Sequence, residues 1–161
     1  MYKLLEKVMI FIKVNRQAMR YDVIAEETAS DGSLIEVYAY WKKRNGFVQG
    51  RIYYDAKYMF PDENLCIISS RGNDHWREKF GKEVNVTSMA QAVTVFSAFR
   101  FDPVFDKQDP SKVIGTKTIL ISVSDFGGTI PKFLVKKYTP KELNEFIEDM
   151  VIAGKREFPM A

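Results

Sequence analysis

The sequence predicts an α+β fold in which about six antiparallel strands are followed by one long helix. Three observations carry this. Between Asp22 and Ser70, runs rich in β-branched and aromatic residues alternate with short turn-forming segments, the mark of a meander of neighbouring antiparallel strands. Thr116 to Ser124 is again rich in β-branched residues and alternates with period two. Beyond Asp125-Phe126-Gly127-Gly128 the apolar period becomes helical, with Leu143, Phe146, Ile147, Met150 and Val151 forming one wide face. That helix has to lie across something apolar, and the strands upstream are the candidate.

In chain order, Leu4, Leu5, Val8, Met9 and Ile12 stand at helical spacing and predict a first helix over residues 3 to about 20. Asp22 to Ala29 reads as a short strand closed by the turn Ser30-Asp31-Gly32-Ser33. Leu34 to Arg44, dense in β-formers, leads through Asn45-Gly46 into Gln49 to Phe60. Pro61-Asp62-Glu63-Asn64 is a turn before the short apolar strand Leu65 to Ser70. Arg71 to Glu83 reads as polar and irregular, anchored by Trp76 and Phe80, and Val84 to Phe101 as a strand broken near Ser88. Phe101 to Ile114, with two prolines, reads as a surface loop. After the strand at 116–124 the paired glycines make a corner, and Pro131 fits the first turn of a helix. Thr139-Pro140-Lys141-Glu142 reads as a capping box opening the main helix.

At 161 residues the chain reads as a single domain spanning residues 1–161, with no repeat and no second domain. Rings make up 14% of it, with 12 Phe and 8 Tyr, enough to line a core or a cavity. A net charge of +3 permits contact with an anionic membrane but does not call for nucleic acid, and no aromatic RNP-type motif is present. The apolar runs are too short to span a bilayer, no signal peptide precedes Asn85-Val86-Thr87, and the one cysteine, Cys66, fits a reducing compartment. The expectation is a soluble cytoplasmic protein.

Catalytic signals are poor. His75 is the only histidine and reads as solvated; Cys66 sits in an apolar strand where inert burial is the default, so a Cys66–His75 dyad has little behind it. No cluster has metal-ligand spacing, and Gly127-Gly128 comes without GxGxxG or a Walker lysine, so neither a metal nor a cofactor is expected. What remains is polar residues set into apolar strands: Arg51, Gln91, Ser122 and Ser124. They face either water or a cavity under the final helix, where they would fix a polar head group.

Several segments, taken in order, resemble the START lipid-transfer family, nearest its phosphatidylcholine transfer and ceramide transfer members. Arg20-Tyr21-Asp22, Tyr38 to Trp41 with Gly50-Arg51-Ile52-Tyr53, Ile67 to Arg71, and Val84-Asn85-Val86 with Gln91 are each weak but colinear. The specific match is Asp125-Phe126-Gly127-Gly128-Thr129-Ile130-Pro131-Lys132-Phe133-Leu134-Val135, similar to the segment that opens the family's lid helix.

The resemblance implies a helix-grip fold: a curved antiparallel sheet wrapped around the C-terminal helix, with one lipid in the tunnel between them. It implies no catalytic residue, and a lipid site at Asp22, Arg51, Gln91, Leu120, Ser122, Phe133 and Leu134. The family's phosphate-binding arginine falls at Ala18, with Arg16 and Arg20 nearby, and the ceramide carrier's tyrosine falls at Leu120, which leaves phospholipid, ceramide and sterol all open as ligands. Period two makes Ile119, Ile121 and Val123 the apolar face of their strand, whereas the resemblance turns Leu120, Ser122 and Ser124 toward the tunnel; the second orientation is adopted. The function implied is transfer of one lipid, a phospholipid first, between membranes, with transient membrane contact through the Lys132, Lys136, Lys137 and Lys141 end of the helix. The alternatives are an enzyme on the same scaffold and an interaction module whose cavity is filled by its own side chains. The family's first helix and first strands have no counterpart ahead of residue 3, so an open sheet edge is expected, which a homodimer would cover.

Overall fold

The computed structural model describes residues 17–44, 49–80 and 89–157. Most of the expected first helix, the Asn45-Gly46 turn, and the Val84-Asn85-Val86 segment with its sequon lie outside them. Among the described residues there are seven strands in one sheet and two α-helices: β1 Ala18–Thr28, β2 Leu34–Lys42, β3 Arg51–Phe60, β4 Leu65–Ser70, α1 Asn73–Phe80, β5 Ala90–Gln91, β6 Val93–Phe105, β7 Val113–Asp125 and α2 Lys132–Glu157. The main path β1-β2-β3-β4-β6-β7 is antiparallel throughout, as the meander predicts, while the two-residue β5 pairs parallel with β3. With its long C-terminal helix this is the expected α+β helix-grip architecture.

The hairpin turns follow from local chemistry. Between β1 and β2, Gly32 takes φ +81°, and the Asp31 carboxylate accepts both the amide and the hydroxyl of Ser33 at 2.9 and 2.6 Å. Those two bonds favour the charged carboxylate and lower its pKa. Asn64 ends the short 3₁₀ turn before β4 in the left-handed region, at φ 53°. Register shifts at Ala18/Arg20 and Val23/Ala25 in the β1–β2 ladder, and at Thr94/Phe96 and Val104/Phe105 in β6–β7, mark bulges that bend the sheet.

Four local expectations are corrected. Residues 18–20 are strand, because Ala18 and Arg20 pair with Lys42 and Trp41 and the ladder takes up the end of the expected first helix. The stretch expected to be irregular holds α1, in which Trp76 is the one buried anchor among the described side chains, too little to give a readable period. β6 runs on to Phe105, pairing Pro103 with Thr116 and Phe105 with Val113, so the loop shrinks to residues 106–112. Finally, the capping box at Thr139 opens no separate helix. The helix starts directly after Pro131, where the sequence also put a first turn, with the Pro131 carbonyl accepting the Leu134 amide at 2.9 Å, and it runs through Pro140 without a break. Pro140 lacks the amide that the Lys136 carbonyl needs, so packing of Phe146, Met150 and Ala153 on the sheet carries the helix past that gap.

The sheet is covered on both faces at its centre. The inner face, toward α2, gathers Tyr38, Met59, Cys66, Ile68, Phe99 and Phe101. The outer face packs Ile24, Val37, Trp41, Ile52 and Tyr54 around Trp76 of α1. Cys66 therefore belongs to the inner core while exposed His75 rides on α1 against the outer one, which separates the conceivable dyad. Burial pushes the Cys66 thiol up to about 12.

Candidate functional site

Strand alternation decides what faces α2. Along β3, Arg51, Tyr53, Asp55 and Lys57 point inward, while Ile52, Tyr54 and Ala56 pack outward. Opposite them on β2, Tyr38, Tyr40 and Lys42 share the inner side. Between this floor, β6, β7 and the helix lies a cavity of about 700 Å³. Phe99 and Ile68 line it from β6 and β4, Leu120, Ser122 and Ser124 from β7, and Val135, Leu143 and Phe146 from α2. A smaller recess of about 40 Å³ adjoins it at the corner, walled by Arg51, Ile130 and Leu134.

The buried carboxylate that lines the cavity is Asp55, 4% exposed. Its carboxylate accepts the Ser70 hydroxyl at 2.5 Å on one oxygen and the Thr94 hydroxyl at 2.9 Å on the other, with the Tyr38 hydroxyl standing off at 3.5 Å. Burial raises its pKa to about 6 against the pull of these three donors. Beside it, Ser97 and Ser122 share a 2.6 Å hydrogen bond across β6 and β7. Tyr40 and Tyr53 also line the cavity, and burial raises both hydroxyls well above the usual phenol.

Two polar contacts tie the helix over this space. Lys42 meets Glu142 at 2.5 Å, and the Gln17 amide donates to Glu145 at 2.8 Å. At the corner, Arg51 acts as a clamp. Its Nε donates to the Phe126 carbonyl at 2.5 Å, one terminal nitrogen to Gln49 at 2.6 Å, and the other to Gly127 at 3.4 Å. Gly127 and Gly128 take φ +61° and +64°, and a Cβ on Gly127 would run into the Gln91 carbonyl oxygen.

The structure brings together some of the residues expected from the sequence and not others. Leu120 and Ser122 line the cavity, Leu134 lines the recess, and Arg51 stands beside it with its donors spent on backbone carbonyls. Ile119 and Ile121, the alternative inner face of β7, are instead 41% and 57% exposed. Gln91 is exposed, because β5 lies along β3 at Ile52 rather than across the cavity. Asp22 is also outside: it pairs with Arg20, whose guanidinium lies 4.8 Å over the Trp41 ring on the outer face. Phe133 is 67% exposed at the start of α2. Sequence reasoning missed Asp55, Tyr38, Tyr40 and Tyr53. The readable signal was the period-two series Arg51, Tyr53, Asp55, Lys57, polar or amphipathic on every second residue of a strand otherwise fit for a core.

No protein-family model matches the chain, and no curated protein matches it by sequence. Solved structures do. Human STARD10 superposes with TM-score 0.64 at 15% identity over 97% of this chain, and human StAR-related lipid transfer protein 5 with 0.67 at 11% over 90%. The lipid transfer and protein localization domain of human StarD13 (DLC2) gives 0.61 at 14% over 92%. The chain spans 60%, 64% and 70% of these three structures respectively. Topology, the inward side of each strand and the superpositions converge on one statement: this chain has the helix-grip fold of START domains.

Proposed function

We propose that this chain is a non-catalytic carrier that holds a single lipid between the inner face of its sheet and α2 and passes it between membranes. The observation that carries the reading is the cavity of about 700 Å³, walled by rings and aliphatic side chains interspersed with polar groups such as Asp55, Ser97 and Ser122. Neighbours of the same fold named for lipid transfer add to it. Burying an apolar tail supplies the driving force, about 0.8 kcal/mol per methylene. In this reading Leu120, Ser122 and Leu134 touch the ligand, while Arg51 acts through the corner it holds. A phospholipid is the class that the sequence resemblance implies.

Membrane contact falls to α2 and its corner. Phe133 is 67% exposed in the turns that carry Lys132, Lys136, Lys137 and Lys141, and Ile147, Val151 and Ile152, 43%, 51% and 61% exposed, lie further along the same helix. Each lysine at an anionic surface contributes about 1 kcal/mol, a gain that salt removes. Among the described residues no helix is long and apolar enough to cross a membrane, and a cytoplasmic carrier that docks briefly is the proposed setting. Native mass spectrometry of the purified protein tests the carrier: a co-purifying lipid supports it. A chain that stays empty after incubation with vesicles would instead favour an interaction module.

A further inference from the structure

We infer that the cavity selects a cationic amphiphile, a lipid with a protonated amine whose charge is received by Asp55, in place of the phosphate head that the sequence resemblance implies. The inference rests on the lipid-cavity reading and names the head group that the site takes.

Asp55 lies at the cavity floor, and among the described residues it receives hydroxyl donors and no basic side chain. The cations nearby are committed elsewhere: Lys42 to Glu142, Arg51 to backbone carbonyls, and Lys57 to Glu36 at 2.7 Å. A carboxylate has about four lone-pair sites, and here only two short hydrogen bonds reach it. The Tyr38 hydroxyl, at 3.5 Å, is at the limit of a hydrogen bond and leaves room for a better donor. A buried anion without a counter-charge is costly, and a ligand cation removes that cost where an alcohol supplies only one hydrogen bond. Tyr38, Tyr40, Tyr53 and Phe99 line the same space, and aromatic rings attract a cation and not an anion. A phosphate or carboxylate head in that position meets Asp55 with like charge.

The test is displacement of Nile red from the folded protein by dodecylamine, 1-dodecanol and dodecanoic acid at about pH 7.5. The amine should displace at about tenfold lower concentration than the alcohol, with the acid weakest. Asp55→Asn should bring amine and alcohol together while leaving the alcohol's own affinity in place. Because that variant alters a buried network, the wild type is also followed down to about pH 5, where Asp55 takes a proton and the amine keeps its charge. The titratable groups facing Asp55 are Tyr38 from β2, Tyr21 from β1 and Tyr53 from its own strand, all pushed up by burial and neutral across this range. Cys66 of β4 is likewise pushed up by burial, and the Lys42–Glu142 pair stands at the mouth under α2. The amine's advantage should shrink toward one at the acid end. Equal displacement by amine and alcohol in the wild type, or an advantage that survives both Asp55→Asn and acid, overturns the inference and leaves the lipid cavity standing. Failure of all three to displace the dye overturns the cavity reading itself.

Discussion

The Lys57 ammonium lies 2.7 Å from the Glu36 carboxylate, between residues directly opposite each other on β2 and β3, with the lysine side chain fully buried. The Tyr21 hydroxyl donates to the same carboxylate, and the ammonium also lies 5.4 Å from the Tyr38 ring centre. Removing one partner strands a buried charge. Lys57→Met should therefore cost about 3–5 kcal/mol in urea unfolding, and Lys57→Met with Glu36→Leu should recover much of that loss. An equal loss in the double variant would place the stabilisation in the pair itself.

Arg51 spans two segments that are far apart in sequence, the Gln49 carbonyl and the Phe126–Gly127 corner. Arg51→Met should cost about 1–3 kcal/mol and speed proteolytic cleavage near residues 126–131. Arg51→Lys should not rescue the corner, since one ammonium cannot reproduce the planar fork. Cleavage kinetics unchanged in Arg51→Met would remove the clamp.

The two corner glycines are not equivalent. Gly128→Ala meets only ordinary contact at 3.7 Å and should cost about 1–2 kcal/mol, the penalty of the left-handed backbone. Gly127→Ala adds a collision with the Gln91 backbone and should lower the melting temperature much further. Equal melting temperatures would contradict the close approach of the corner to β5.

Asp55 binds its proton more tightly folded than unfolded, because its pKa is raised from 3.8 to about 6. Between those values the folded state holds more protons, so this group's contribution to stability is full below pH 3.8 and is lost as pH rises through about 6. The loss is on the order of 3 kcal/mol. Asp55→Asn abolishes that dependence, so the variant's stability relative to wild type should climb from about pH 4 to about pH 7. A difference that stays flat in chemical denaturation across this range would show the carboxyl to be unperturbed.

Much of the fold was legible because the meander and the Gly-Gly corner announce themselves locally. β4 was placed at Leu65 to Ser70 as the structure has it, and the strand before the corner was found within a few residues of its ends. The site was harder to read. β2 and β3 are buried on both faces, so the polar side of their alternation, Glu36, Tyr38, Tyr40 and Lys42 with Arg51, Tyr53, Asp55 and Lys57, reads as a water-facing side although it faces the core and the cavity. On β7 the apolar Ile119 and Ile121 face outward, so simple alternation selects the wrong side there, and only the order of the motifs pointed to Leu120 and Ser122. Asp22 and Gln91 went astray for one reason: the side to which an isolated polar residue turns depends on bulges and pairings that single positions do not reveal.

The cavity is bounded by the most and the least protected parts of the sheet. Its floor, β2 and β3, has strands paired on both sides and is packed above and below. Its far wall, β7, ends the path of described strands and is exposed over nearly all of its residues. Amide exchange should accordingly be slowest in the floor and fastest in that wall, because opening free energy follows burial and pairing. A molecule entering the cavity then needs no global unfolding. A local excursion that releases β7 and its corner uncovers the same space that the rigid floor keeps in shape.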